Sequence, residues 1–240
     1  LHPRVRRQRQ MCIRDRKICI WITKIFDLGG TKRVVSLLAN ELVKEHEVTI
    51  MTYEDRFRED RTMYHLSEDI NVDFIDNSQF VNKHHTPAFC ARYLVKKLND
   101  RSGLFNKKSL NPILAEAIFP KKTREKWVEY FNSQDYDVIL TTASLSLRLA
   151  MIAPRLKAAT IGWQHNCYDG YLHVKPVVFW QQENLLQQYL PNLDRYIVLS
   201  DYDKRDYMEK LGIDCEVKIN PRSFVSEKKC DVKSLSLIHI

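Results

Sequence analysis

The chain has 240 residues, of which 44% are hydrophobic and 28% charged, with a formal charge of +8. That composition suits a globular protein with length for one large domain or two small ones. It holds no run of about 18 apolar residues, which argues against a membrane-spanning helix, and its basic start lacks the apolar core of a secretory signal.

In chain order the first segment, LHPRVRRQRQMCIRDR, carries six arginines against one aspartate. It therefore supplies +5 of the net charge, and nucleic acid is not an expected partner. The segment has no amphipathic period and resembles translated adapter sequence, so residues 1–16 are expected to be a non-native or disordered leader. The closing SLSLIHI has the same character, and 226–240 are expected to be a linker start followed by an artefactual tail. The domain proper is assigned to 17–225. Its expected location is cytoplasmic.

From Lys17 onward, short β-branched runs alternate with longer helical patterns. KICIWI is almost continuously apolar, as a strand covered on both faces must be. After TKIFDLGG, the stretch TKRVVSLLANELVKE places Val34, Val35, Leu38 and Leu42 on one helical face. EVTIMTY and INVDFID read as the second and third strands. Residues 77–133 are less regular, with helices predicted at ARYLVKKLND and TREKWVEYFNS. Alternation then resumes as YDVILTT, SLSLRLAMIAPRLK, AATIGW, a helix around FWQQENLLQQYL, DRYIVLS, DYDKRDYMEKLG and CEVKI. The expected fold is α/β, a Rossmann-like doubly wound and mostly parallel sheet with helices on both faces. Ser200 is predicted to cap the helix that follows it, with Gly212 ending that helix.

Three places carry candidate chemistry. Gly29 and Gly30 stand between the first strand and the first helix, where unpaired helix N–H groups can meet an anion. The pair is neither GxGxxG nor a phosphate-loop motif, which disfavours a dinucleotide-dependent dehydrogenase. Gln164, His165 and Asn166 follow the strand AATIGW, and open α/β sheets bind ligands at the carboxyl ends of their strands. Ser200 and Asp201 end another strand, but without GxSxG the capping role accounts for the serine. His84 and His85 have no accompanying metal-ligand spacing. The six cysteines, Cys12, Cys19, Cys90, Cys167, Cys215 and Cys230, form no CxxC pair and are expected as reduced, buried thiols.

Taken together, GGTKRVVSLLANELVKEHEVTIMT, DYDVILTTASLSLRLAMIAPRLKAATIGWQHN and DRYIVLSDYDKRDYMEKLGIDCEVKINPRSFV resemble the N-terminal, acceptor-side domain of the family-4 retaining glycosyltransferases. Gly29, Gly30, Arg33 and Val34 match that family's GG-x-E-R-V loop, with Lys32 in place of its acid. His165 of WQHN matches the family's histidine in the interdomain cleft, and Asn220-Pro221 resembles its NP signature.

The resemblance implies one half of a GT-B fold, with the donor-binding half absent and the chain inactive alone. It implies a hexosyl transfer with retention, from a nucleotide-sugar to a glycan or lipid-linked acceptor in cell-surface polysaccharide synthesis. His165 would be catalytic, Gly29, Gly30 and Arg33 would hold the donor or acceptor oxygens, and Asn166 would contact substrate. The implied donor is UDP- or GDP-linked, with no metal and no other cofactor. Arg92, Tyr93, Lys96, Lys97, Lys107 and Lys108 read either as an ordinary solvated helix and loop face or as peripheral contact with the inner membrane face. A rival reading is a stand-alone Rossmann-like module that binds a nucleotide or glycan without catalysis.

Overall fold

The computed structural model describes residues 16–80, 86–174 and 178–221. The proposed leader except Arg16, the tail, His84, His85, Cys12 and Cys230 lie outside the described residues.

Seven strands form one parallel sheet in the order β3-β2-β1-β4-β5-β6-β7. They are β1 (Lys17–Trp21), β2 (Glu47–Thr52), β3 (Asn71–Phe74), β4 (Val138–Thr142), β5 (Ala159–Trp163), β6 (Arg195–Val198) and β7 (Glu216–Val217). The first strand is central because its apolar run is covered on both faces. Ile18, Ile20 and Ile22 point into one core with Val34 and Val35, while Cys19 and Trp21 point into the other. It pairs with β2 through Ile20↔Ile50 and with β4 through Ile20↔Leu140.

The helices are α1 (Gly30–Leu42), α2 (Pro87–Ser102), α3 (Asn111–Ile118), α4 (Lys121–Gln134), α5 (Ser144–Ile152), α6 (Tyr168–Leu172), α7 (Glu183–Tyr189) and α8 (Asp201–Leu211). The core on the face of α1 includes Ile18, Ile50, Leu140 and Trp163. The opposite core is larger and gathers the apolar sides of α3 to α8 around Trp21, Trp127, Leu149 and Tyr207. Its aromatic centre is dense: Trp127 stacks on Phe80 at 3.8 Å and lies 4.6 Å from Trp21, ring centre to ring centre.

Several boundaries differ from expectation. The helix predicted around FWQQENLLQQYL begins only at Glu183, because Gln181 takes a positive φ of 54° and Gln182 serves as the N-cap. Helix α3, within the irregular stretch, opens with Asn111-Pro112 and buries Leu114 and Ala115. The thiols of Cys19 and Cys215 are buried as expected, but Cys90 and Cys167 are exposed, since both sit near helix starts on the surface. Among the described residues no helix is long and apolar enough to cross a membrane.

Candidate functional site

In this strand order the chain leaves β1 toward one face and β4 toward the other, so the carboxyl ends of these neighbours flank a crevice. Helices α1 and α5 both start at that edge, and neither has a side-chain cap. Each turns unpaired first-turn N–H groups and a positive dipole end outward. The residue before α5, Ala143, adopts φ 50°, a left-handed conformation that costs a non-glycine residue about 1 kcal/mol or more.

The glycine pair does two different things. The amide of Gly29 donates to the hydroxyl of Tyr64 at 2.8 Å, and its carbonyl accepts from the Arg33 amide at 3.2 Å. A Cβ on Gly29 would press on the Lys32 side chain at 3.0 Å. Gly29 is thus a hinge closed by the protein itself, and the outward donors begin at Gly30. A Cβ on Gly30 would meet nothing within 4 Å, so no neighbour in the fold requires glycine there. Arg33 lies exposed in the first turn of α1.

The loop before this pair is pinned by Glu54, a buried carboxylate. It accepts from the amides of Ile25 at 2.6 Å and Phe26 at 2.9 Å, and from the Thr52 hydroxyl at 3.3 Å. Beside it a cavity of about 430 Å³ opens at the ends of β1 and β2, lined by Lys24, Tyr53, Glu54, Arg58 and Arg148 among others. Burial pushes the Tyr53 phenol up to about 12, opposed by the Arg148 guanidinium, which hydrogen-bonds it. Tyr53 in turn accepts from the Trp21 indole at 3.1 Å.

His165 lies at the end of β5, two strand spacings or roughly 10 Å from β1. Its ring packs at 4.4 Å on Trp163, and no ring nitrogen has a hydrogen bond of good geometry among the described residues, although the Asn220 side chain lies close enough to interact with the ring. Burial lowers its pKa to about 4, with the Asn220 side chain opposing, so the imidazole is neutral near pH 7. A neutral ring offers one donor and one acceptor.

Its backbone is clamped from below. The His165 amide donates to the Tyr171 hydroxyl at 3.3 Å. Gln164 accepts from the Tyr196 hydroxyl at 3.1 Å and donates to the Asn166 carbonyl at 2.6 Å. The Tyr168 amide donates to Asp203 at 2.8 Å, and the Ser200 hydroxyl donates to the other oxygen of that carboxylate at 2.6 Å. Ser200 also caps α8, accepting from the Asp203 amide as its sequence context predicts, and Gly212 ends the helix in the left-handed region. Asn166 is exposed but folds back on its own loop: its side-chain oxygen accepts from the Cys167 amide at 2.9 Å, and the group lies against Gly170.

The crevice therefore brings together Gly30, the first turn of α1 and His165 along one sheet edge, with Asn166 in the same loop as His165. Glu54, Tyr64, Arg148, Tyr171 and Asp203 were missed in the sequence. Asp203 had a legible signal, three residues after a capping serine; the others act across 25 residues or more or through a plain tyrosine, which pattern reading does not reach.

Solved structures share this architecture. Sucrose-phosphate synthase from Thermosynechococcus elongatus is 15% identical with a TM-score of 0.52, over 86% of this chain and 48% of that one. An apo lipopolysaccharide outer core galactosyltransferase, WaaB, is 16% identical with a TM-score of 0.49, over 86% and 46%. An Anabaena protein, HepE, in complex with UDP and glucose is 13% identical with a TM-score of 0.48, over 85% and 44%. The chain spans a little under half the length of each, and at these identities the likeness speaks to fold, carried by the synthase. No curated protein matches the chain. The model of Glycosyltransferase Family 4 matches residues 28–223. With that match and a Rossmann-like parallel sheet of the kind that forms half of a GT-B enzyme, the chain belongs to Glycosyltransferase Family 4.

Proposed function

We propose that this chain is the acceptor-side half of an enzyme that transfers a hexose from a nucleotide-sugar, UDP- or GDP-linked, to a glycan or lipid-linked acceptor. Transfer retains the anomeric configuration, uses no metal, and serves cell-surface polysaccharide synthesis at the inner membrane face. The observation that carries the reading is His165: a neutral imidazole at a strand tip whose ring, with only the Asn220 side chain beside its nitrogens among the described residues, stands at the same end of the sheet as the open N-terminus of α1. Its donor nitrogen suits a sugar hydroxyl. The N–H groups from Gly30 onward suit the negative charge that builds as a diphosphate leaves or an acceptor oxygen attacks. Arg33, exposed in the same turn, adds a cation, and Asn166 shapes the loop beside the sugar.

On its own the chain offers one wall of a cleft and turns over no donor. In the chain continued through a donor-binding half, His165→Ala should lower turnover about 100-fold with little change in folding. Turnover within about twofold of the parent would remove His165 from the reaction.

A further inference from the structure

Helix α2 is the least embedded long helix of the fold: only Asn99 among its residues is buried, while Tyr93 and Leu94 are 59% and 56% exposed. Polar contacts hold it in place. The Asn99 amide donates to the Gln181 carbonyl at 2.7 Å, and the Trp180 indole donates to the Asp100 carbonyl at 2.9 Å. Just beyond the helix, Asn106 engages both Asn184 and Glu183. These contacts fix α2 in position without covering its apolar side.

Between α2 and the α3–α4 pair runs a groove of about 200 Å³. Tyr93, Ile118, Phe119 and Trp127 supply apolar wall, and the cations of the groove are Arg92, Lys96 and Arg148, with no carboxylate in the lining. None of the three is ion-paired among the described residues. Arg148 lies 5.8 Å over the Phe119 ring and also lines the cavity at the ends of β1 and β2. One side chain thus borders both the groove and that cavity.

We infer that the groove holds the alkyl chain of a phosphate-bearing lipid, whose phosphate lies among Arg92, Lys96 and Arg148. An apolar trough edged by cations that have no carboxylate partner among the described residues calls for a ligand that is both aliphatic and anionic. A free glycan is neither. The inference rests on the sugar-transfer reading for its consequence: the acceptor is lipid-linked, with its anionic head at Arg148 and its sugar projecting into the cavity at the ends of β1 and β2. The exposed Tyr93 and Leu94 on the same helix place the groove mouth at the membrane surface from which such a lipid enters.

The test titrates dodecyl phosphate, below its micelle concentration, onto the full chain by calorimetry. Dodecyl maltoside supplies the tail without the charge, and inorganic phosphate the charge without the tail. Saturable binding should be roughly tenfold or more tighter than for either comparator, and weakened by a similar factor in Arg92→Glu/Lys96→Glu. Both substitutions fall on side chains without an ion-pair partner among the described residues, and circular dichroism checks that the fold is kept. Absence of binding, equal affinity for dodecyl maltoside, or equal affinity in a folded double variant overturns the inference. Gly30→Ala changes the crevice and leaves the groove alone, so it should bind dodecyl phosphate as the parent does. Loss of transfer in Gly30→Ala without dodecyl phosphate binding in the parent would keep the transferase and remove the lipid groove; the opposite pair of results would do the reverse.

Discussion

His165 is held neutral by burial, and that has a consequence for stability as well as for chemistry. Its folded-state pKa, about 4, lies below the 6.5 of a solvated imidazole. Between those values the unfolded chain takes up a proton that the folded chain refuses. The contribution of this residue is therefore intact above pH 6.5 and is lost as the pH falls toward 4. Allowing for its partial exposure, the loss is on the order of 2 kcal/mol. His165→Gln should flatten the slope of unfolding free energy, measured by urea titration, between pH 4 and 6.5; an unaltered slope would mean the imidazole is solvated. The histidine was legible in the sequence because it follows a strand in a WQHN cluster. Its buried, neutral state was not, since it depends on Trp163 and Asn220 closing around the ring.

At the scale of elements, the two loops of the crevice are anchored by different physics. The loop after β1 hangs on one buried carboxylate, Glu54, through three hydrogen bonds. Glu54→Ala leaves two buried amides without an acceptor and should cost about 2 to 4 kcal/mol, read as a fall in melting temperature. The loop after β5 is tied to the N-cap of α8, so Ser200→Ala should cost about 1 kcal/mol and loosen Asp203 as well. A cost within experimental error for Glu54→Ala would mean that the loop keeps its shape by other contacts. Helix α8 was readable from Ser200 to Gly212 because caps are local signals. The start of α7 was not, because Gln181 adopts its positive φ where its carbonyl accepts from Asn99, far away in the chain. The strands were readable for the opposite reason: β1 announces its burial on both faces by composition alone.

For the whole molecule, the parallel sheet and its strand alternation followed from the sequence, while the crevice needed the strand order. β1 and β4 are separated by more than a hundred residues, yet they meet at Ile20↔Leu140. That pairing, with β5 in turn beside β4, puts the loops after β1 and β5 at one end of the sheet and makes the glycine pair and WQHN parts of the same surface. A stand-alone binding module would use that edge too, but it would not need it to stabilise a leaving diphosphate. The most direct measurement is the turnover of a UDP- or GDP-linked hexose by the chain continued through a donor-binding half, in the parent and in Gly30→Ala. A Cβ there meets nothing in the fold, so the melting temperature should hold while turnover falls about 100-fold as the methyl group blocks the approach to the α1 amides. Unchanged turnover at unchanged stability would contradict the crevice as the site of transfer.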